Sequence, residues 1–147
     1  MFSGNWPANF LRPKSQSIDF LNRAHGQYGI YVLSNVSSYV LDYVKSIGFW
    51  DKISGGTYSY AVKSLKPNFE IYQRFLSDNK VKPEECLFLD DLPQNIEAAK
   101  KAGKLTQISF PTLPSAIFSI KNQYAIPCAF IASATLMKPA MFAPATR

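Results

Sequence analysis

Cys86-Leu87-Phe88-Leu89-Asp90-Asp91 decides how this chain is read. A short apolar run, preceded by Lys82-Pro83-Glu84-Glu85 and stopped by two acids, has the length and punctuation of a strand buried on both faces. Pro93 then stands where the first turn of a helix tolerates proline, Ile96, Ala99 and Ala102 recur at helical spacing, and Gly103 supplies the stop. A buried strand that ends on carboxylates and turns into a helix is where open α/β sheets hold ligands. Asp90 and Asp91 are therefore candidate cation ligands. The competing reading makes them cap and turn residues, but two like charges at a buried strand end are costly without a cation or a lysine beside them.

Working upstream, Pro67 marks the start of a helix whose stripe is Phe69, Tyr72, Phe75 and Leu76. Before it, Gly55-Gly56 signals a turn and Tyr58-Ser59-Tyr60-Ala61-Val62 a short strand. Val36, Val40, Leu41, Val44 and Ile47 lay out another apolar helical face, closed by Gly48. It follows a strand, Ile30-Tyr31-Val32-Leu33, that stops on Ser34-Asn35. Ile18, Leu21 and Ala24 predict a short helix bounded by Gly26 and Gly29. Downstream, Leu105 to Phe110 is one more strand. This alternation of helix and strand predicts an α/β fold, a Rossmann-like parallel sheet with flanking helices.

The predicted organisation is an irregular lead over 1–14, a core over 15–111 and a Pro/Ala-rich segment over 112–147. Within that last segment Ser115 to Lys121 could form a turn or two of helix, and residues 125–147 are expected to be loosely held or disordered. With 47% hydrophobic residues in 147, the chain can bury one ordinary domain core. Residues 1–97 balance their acids and bases, so the net charge of +6 resides entirely in the sparse lysines and arginine after Glu97. That distribution does not make a nucleic-acid surface. Cys86 and Cys128 form neither a disulfide framework nor a metal signature, which fits a cytoplasmic setting. Residues 1–10 lack a secretory pattern, and the uncharged stretch 122–137 is too short and too broken by Pro127 to span a membrane.

Three polar sites fall where the chain leaves the sheet: Ser34-Asn35, Lys66, and Asp90-Asp91. In a parallel sheet the carboxyl ends of all strands lie on one side, so these groups can meet. A hydroxyl, an ammonium and a carboxylate pair suit a phosphate held with magnesium: hard oxygens for the ion, a cation for phosphate charge, and hydroxyl and amide donors for the oxygens. Ser34 or Asn35 could equally be only a helix cap. His25 reads as a surface helix terminus, Cys86 as core, and Tyr58 and Tyr60 as packing residues.

Taken in order, Tyr31-Val32-Leu33-Ser34-Asn35, then Leu65-Lys66-Pro67-Asn68-Phe69-Glu70-Ile71-Tyr72, then Glu84 to Asp91 with Asn95, Ala98-Ala99 and Gly103, resemble the second, third and fourth motifs of the haloacid dehalogenase (HAD) superfamily of hydrolases. The resemblance covers roughly residues 15–110. It implies that Ser34 binds the transferring phosphoryl group, that Lys66 balances charge between phosphate and nucleophile, that Asp90 and Asp91 hold Mg2+, and that Asn95 supports the loop. The paired acids followed by asparagine resemble the phosphatase branch, whose default substrate is a small phosphorylated molecule.

The family's nucleophile, an aspartate in Asp-x-Asp at the end of the first strand, has no counterpart. The six aspartates stand at 19, 42, 51, 78, 90 and 91, and none forms that motif. By resemblance the missing strand is the middle of the sheet, between the strands ending at Ser34 and Asp90, and the helical cap is missing too. The expectation is a phosphomonoesterase-like chain inactive in isolation, with exposed strand edges that invite a homo-oligomer or a complementing chain. The alternatives are a non-catalytic module docking through an open sheet edge, and a phosphate-ligand-binding domain without turnover.

Overall fold

Helices and strands alternate because the apolar pattern switches from helical spacing to short apolar runs and back. The computed structural model describes residues 11–13, 15–46, 48–90, 92–103, 106–109, 129–132 and 137–139, with side chains over 18–46, 48–90 and 92–103. In chain order the elements are β1 (Leu11–Pro13), α1 (Ser15–Ala24), β2 (Gly29–Ser34), α2 (Ser38–Ser46), β3 (Gly55–Tyr58), α3 (Ser59–Val62), α4 (Phe69–Asn79), β4 (Cys86–Asp90), α5 (Pro93–Gly103), β5 (Thr106–Ser109), β6 (Ala129–Ala132) and β7 (Met137–Pro139). Single 3-10 turns at Trp50–Lys52 and Pro83–Glu85 lead towards β3 and into β4.

Five strands form one sheet in the order β3-β2-β6-β4-β5, and every pairing in it is parallel. β1 and β7 make a separate antiparallel pair. All of β4 is buried, as its unbroken apolar run requires. Its side chains alternate between two clusters. Leu87 and Leu89 join Phe20, Leu21 and Ala24 of α1 with Ile30 and Phe49. Cys86 and Phe88 join Ile71, Tyr72 and Phe75 of α4 with Ile96 and Ala99 of α5. Each fully buried Leu or Phe contributes about 1.5–3 kcal/mol of transfer free energy, so β4 is the spine of the fold. Cys86 is core as expected, and His25 is exposed at the end of α1.

Three local expectations shift. Gly55-Gly56 is not a turn but the start of β3, and the turn of helix α3 takes the place of the strand expected at Tyr58–Val62. The glycines are there because space is absent: a Cβ on Gly56 would come 2.6 Å from the Val32 carbonyl oxygen, and one on Gly55 would come 2.7 Å from Oδ1 of Asn79. Helix α4 begins at Phe69 rather than at Pro67, because Lys66-Pro67, a cis peptide, belongs to a turn closed by the Asn68 N–H donating to the Leu65 carbonyl at 2.8 Å.

The third shift concerns the middle of the sheet. Among the described residues no strand carries the first motif, and the position between β2 and β4 is filled by β6, from the segment expected to be loosely held. The rest of that segment, including the helix expected at 115–121, lies outside the described residues, as do residues 1–10. Among the described residues no helix is long and apolar enough to cross a membrane.

Candidate active site

The carboxyl edge of the sheet gathers residues from three parts of the chain. Asp90, the last residue of β4, is 1% exposed. An isolated carboxylate there would be strongly unfavourable, and the chain supplies three donors. Lys66 Nζ donates to Asp90 Oδ2 at 2.8 Å, Asn95 Nδ2 donates to Oδ1 at 3.0 Å, and the Leu92 N–H donates to Oδ1 at 2.9 Å. The last is an Asx turn that bends the chain into α5. Lys66 is also nearly fully buried and lies 5.9 Å from the centroid of the Phe88 ring. The lysine demanded by a buried strand-end acid is thus supplied from a loop twenty-four positions upstream.

Asn35, just past β2, holds that lysine in place. Its Nδ2 donates to the Lys66 carbonyl at 2.9 Å, and the Lys66 N–H donates to its Oδ1 at 2.8 Å. The side-chain amide thereby completes the backbone hydrogen bonding of a loop residue, as a neighbouring strand would. Asn35 comes to the site as the positioner of Lys66, a role that its residue type alone did not reveal. Ser34 beside it is buried at the end of β2, opposite Tyr58 in register. Asp91 lies outside the described residues.

Three contributors carried no sequence signal as site residues. Tyr72 was legible only as part of an apolar stripe, yet its hydroxyl donates to the Asn95 carbonyl at 3.0 Å. Burial first, and the Asp90 carboxylate second, push its phenol well above the ordinary range. Ser59 Oγ accepts from the Val36 N–H at 2.9 Å and donates to the Val36 carbonyl at 3.2 Å, fastening the loop after Ser34 to α3. Ser64 is buried near Lys66 in sequence, and its Oγ has no hydrogen-bond partner among the described residues. At the rim, Leu65, Phe69 and Leu92 are exposed, and Pro67, Phe69, Gln94, Glu97, Ala98 and Lys101 line a shallow depression.

Asp90 offers the hard oxygen donors that magnesium takes. Among the described residues no three His, Cys, Asp or Glu side chains gather into a metal cluster. Magnesium bound through one or two carboxylates, water and substrate phosphate needs no such cluster, so the donor chemistry fits that mode. Asp19, the first aspartate in the sequence, is exposed on α1 and cannot replace the missing nucleophile.

A D-ribitol-5-phosphate phosphatase of Bacteroides thetaiotaomicron is 29% identical over 108 residues, which is 67% of this chain and 51% of that enzyme. A HAD-like hydrolase of Porphyromonas gingivalis superposes with a TM-score of 0.66 at 25% identity, covering 75% of this chain and 58% of the other. A HAD family enzyme of Bacteroides thetaiotaomicron, crystallised as a magnesium complex, gives a TM-score of 0.62 at 24% identity, over 71% and 57% of the two chains. The chain spans about half the length of the curated relative it matches. With Asn35, Lys66, Asp90 and Asn95 joined at one sheet edge, and with residues 6–103 matching the family model, the chain belongs to the haloacid dehalogenase-like hydrolases.

Proposed function

We propose that this chain carries the phosphate- and magnesium-binding part of a phosphatase of this family, specific for a small phosphorylated molecule, and that it does not turn the substrate over by itself. The observation that supports this most is the Asn35-Lys66-Asp90-Asn95 relay, in which Asn35 holds the Lys66 backbone and the buried Lys66, Asp90 and Asn95 side chains are linked by hydrogen bonds at the carboxyl edge. In this reading Ser34 and the amides after β2 grip the phosphate oxygens, and Lys66 balances their charge. Asp90 and Asp91 ligate the ion, and Asn95 with Tyr72 keeps Asp90 oriented. Bound magnesium would neutralise phosphate charge and fix its orientation.

Phosphoryl transfer depends on a positioned nucleophile, and charge balance cannot replace one. The purified chain is therefore expected to bind inorganic phosphate in a magnesium-dependent way by calorimetry, and to hydrolyse p-nitrophenyl phosphate no faster than buffer does. Magnesium-dependent turnover that Asp90→Asn abolishes would show that the chain is a complete enzyme. Absence of phosphate binding with or without magnesium would remove the site altogether.

A further inference from the structure

The strand that completes the sheet comes from far along the chain. Ala129, Phe130, Ile131 and Ala132 pair in parallel with Gly29, Ile30, Tyr31 and Val32 on one side and with Cys86, Leu87, Phe88 and Leu89 on the other. Nothing else among the described residues bridges β2 and β4 by backbone hydrogen bonds.

The walls of this slot are nevertheless tied together without β6. Asn35 after β2 holds Lys66, and Lys66 holds Asp90 at the end of β4. Ile30 shares a buried cluster with Leu87 and Leu89, and Leu33 shares another with Cys86 and Phe88. All of these groups lie within residues 20–99, and the helices covering both clusters lie within 15–103. The body of the fold is therefore held by contacts in which β6 takes no part. β6 joins across the connection from Ser109 to Ala129, so its docking is separable from the contacts that hold the body. Without it, β2 and β4 each present a row of unpaired backbone groups, which is the condition for strand addition.

We infer that the gap between β2 and β4 is a strand-acceptor site. The chain fills it with its own Ala129–Ala132, and the same segment of a second copy can take that place by strand exchange. The fit is given by identity: a second copy offers the same register and the same small and aliphatic residue types, and exchange of an identical element is a low-cost route to dimers. Because β6 pairs in parallel on both sides, an exchanged copy of it ends at the same edge of the sheet, where Lys66 and Asp90 meet.

The test uses the full-length chain, its Ile131→Pro variant and a fluorescein-labelled peptide of residues 127–134. Proline in the middle of a doubly paired strand removes a ladder donor and weakens the chain's own occupant. The variant is expected to bind the peptide, seen as a rise in anisotropy, at least about tenfold more tightly than the wild-type chain, whose tethered strand competes at an effective concentration on the order of millimolar. A scrambled peptide should bind neither. Equal binding to both chains, or binding to neither, would overturn the proposal. Should the variant precipitate, co-expression with the peptide decides: recovery of soluble chain supports an acceptor slot, and no recovery refutes it.

Discussion

The two strands that end on the site solve different physical problems. β2 ends on a neutral hydroxyl followed by an amide, and the amide is accommodated by the backbone of the Lys66 loop. β4 is buried along its whole length and ends on a carboxylate at 1% exposure. A neutral end can be finished by whatever donors lie close by, whereas a buried charge needs an opposite charge in good geometry. β4 therefore recruits Lys66 from a distant loop, and β2 supplies Asn35, the amide that orients that loop. One strand holds the charge, and the other positions its partner.

Lys66→Met should expose this difference most strongly. It removes the cation beside the buried Asp90 carboxylate, and urea unfolding should report a loss of about 3–5 kcal/mol. The double variant Lys66→Met/Asp90→Asn should recover much of that loss. If the single variant costs under about 1 kcal/mol, the charge on β4 does not organise the edge. On the β2 side, Gly56→Ala places a methyl group against the backbone oxygen of Val32, which can move only with the sheet, and a loss of about 1–3 kcal/mol is expected. A neutral result there would mean that β3 is free to shift on β2.

Asn35→Ala removes the side chain that holds the Lys66 backbone and should cost about 1–2 kcal/mol. It should also weaken phosphate binding more than it lowers stability, because Lys66 would be misplaced rather than lost. The smallest effect belongs to Tyr72→Phe, about 1 kcal/mol for the hydroxyl that holds Asn95. This residue also has a pH signature. Its phenol is raised in the native state above the ordinary value of 10.0, so both states keep the proton at neutral pH. As pH rises past the ordinary value, the unfolded chain releases its proton first, and stability falls. Tyr72→Phe should flatten that alkaline decline in pH-dependent unfolding curves; an unchanged slope would mean that Tyr72 ionises as readily in the folded protein as in the unfolded one.

Most of the architecture was legible because short-range patterning carries it. The apolar run at 86–89, the helical stripes at Ile71-Tyr72-Phe75 and Ile96-Ala99, and the stops at Gly26 and Gly103 each satisfy a local rule of burial or backbone conformation. Asp90 was equally legible, since it ends a strand, whereas Lys66, in the loop before α4, and Asn95, in the first turn of α5, were singled out by their place in the motif pattern. The roles of Tyr72 and Ser59 were not. A tyrosine in an apolar stripe and a serine after an edge strand look the same whether or not their hydroxyls find a partner across the fold. Gly55-Gly56 misled for a related reason. A glycine pair marks a turn when judged by local conformational freedom, and only the approach of Val32 and Asn79 shows that it marks crowding.

By itself the sequence determined that helices and strands alternate, that the acids end a buried strand, and that no Asp-x-Asp exists to attack a phosphate. Those properties depend on residue type and spacing over a few turns of chain. Tertiary structure alone decided that Lys66 answers Asp90, that Asn35 holds Lys66, and that Ala129–Ala132 fills the centre of the sheet. Backbone hydrogen bonding is nearly indifferent to side-chain identity, so a central slot can be completed by any strand of suitable length and polarity, wherever in the chain it lies.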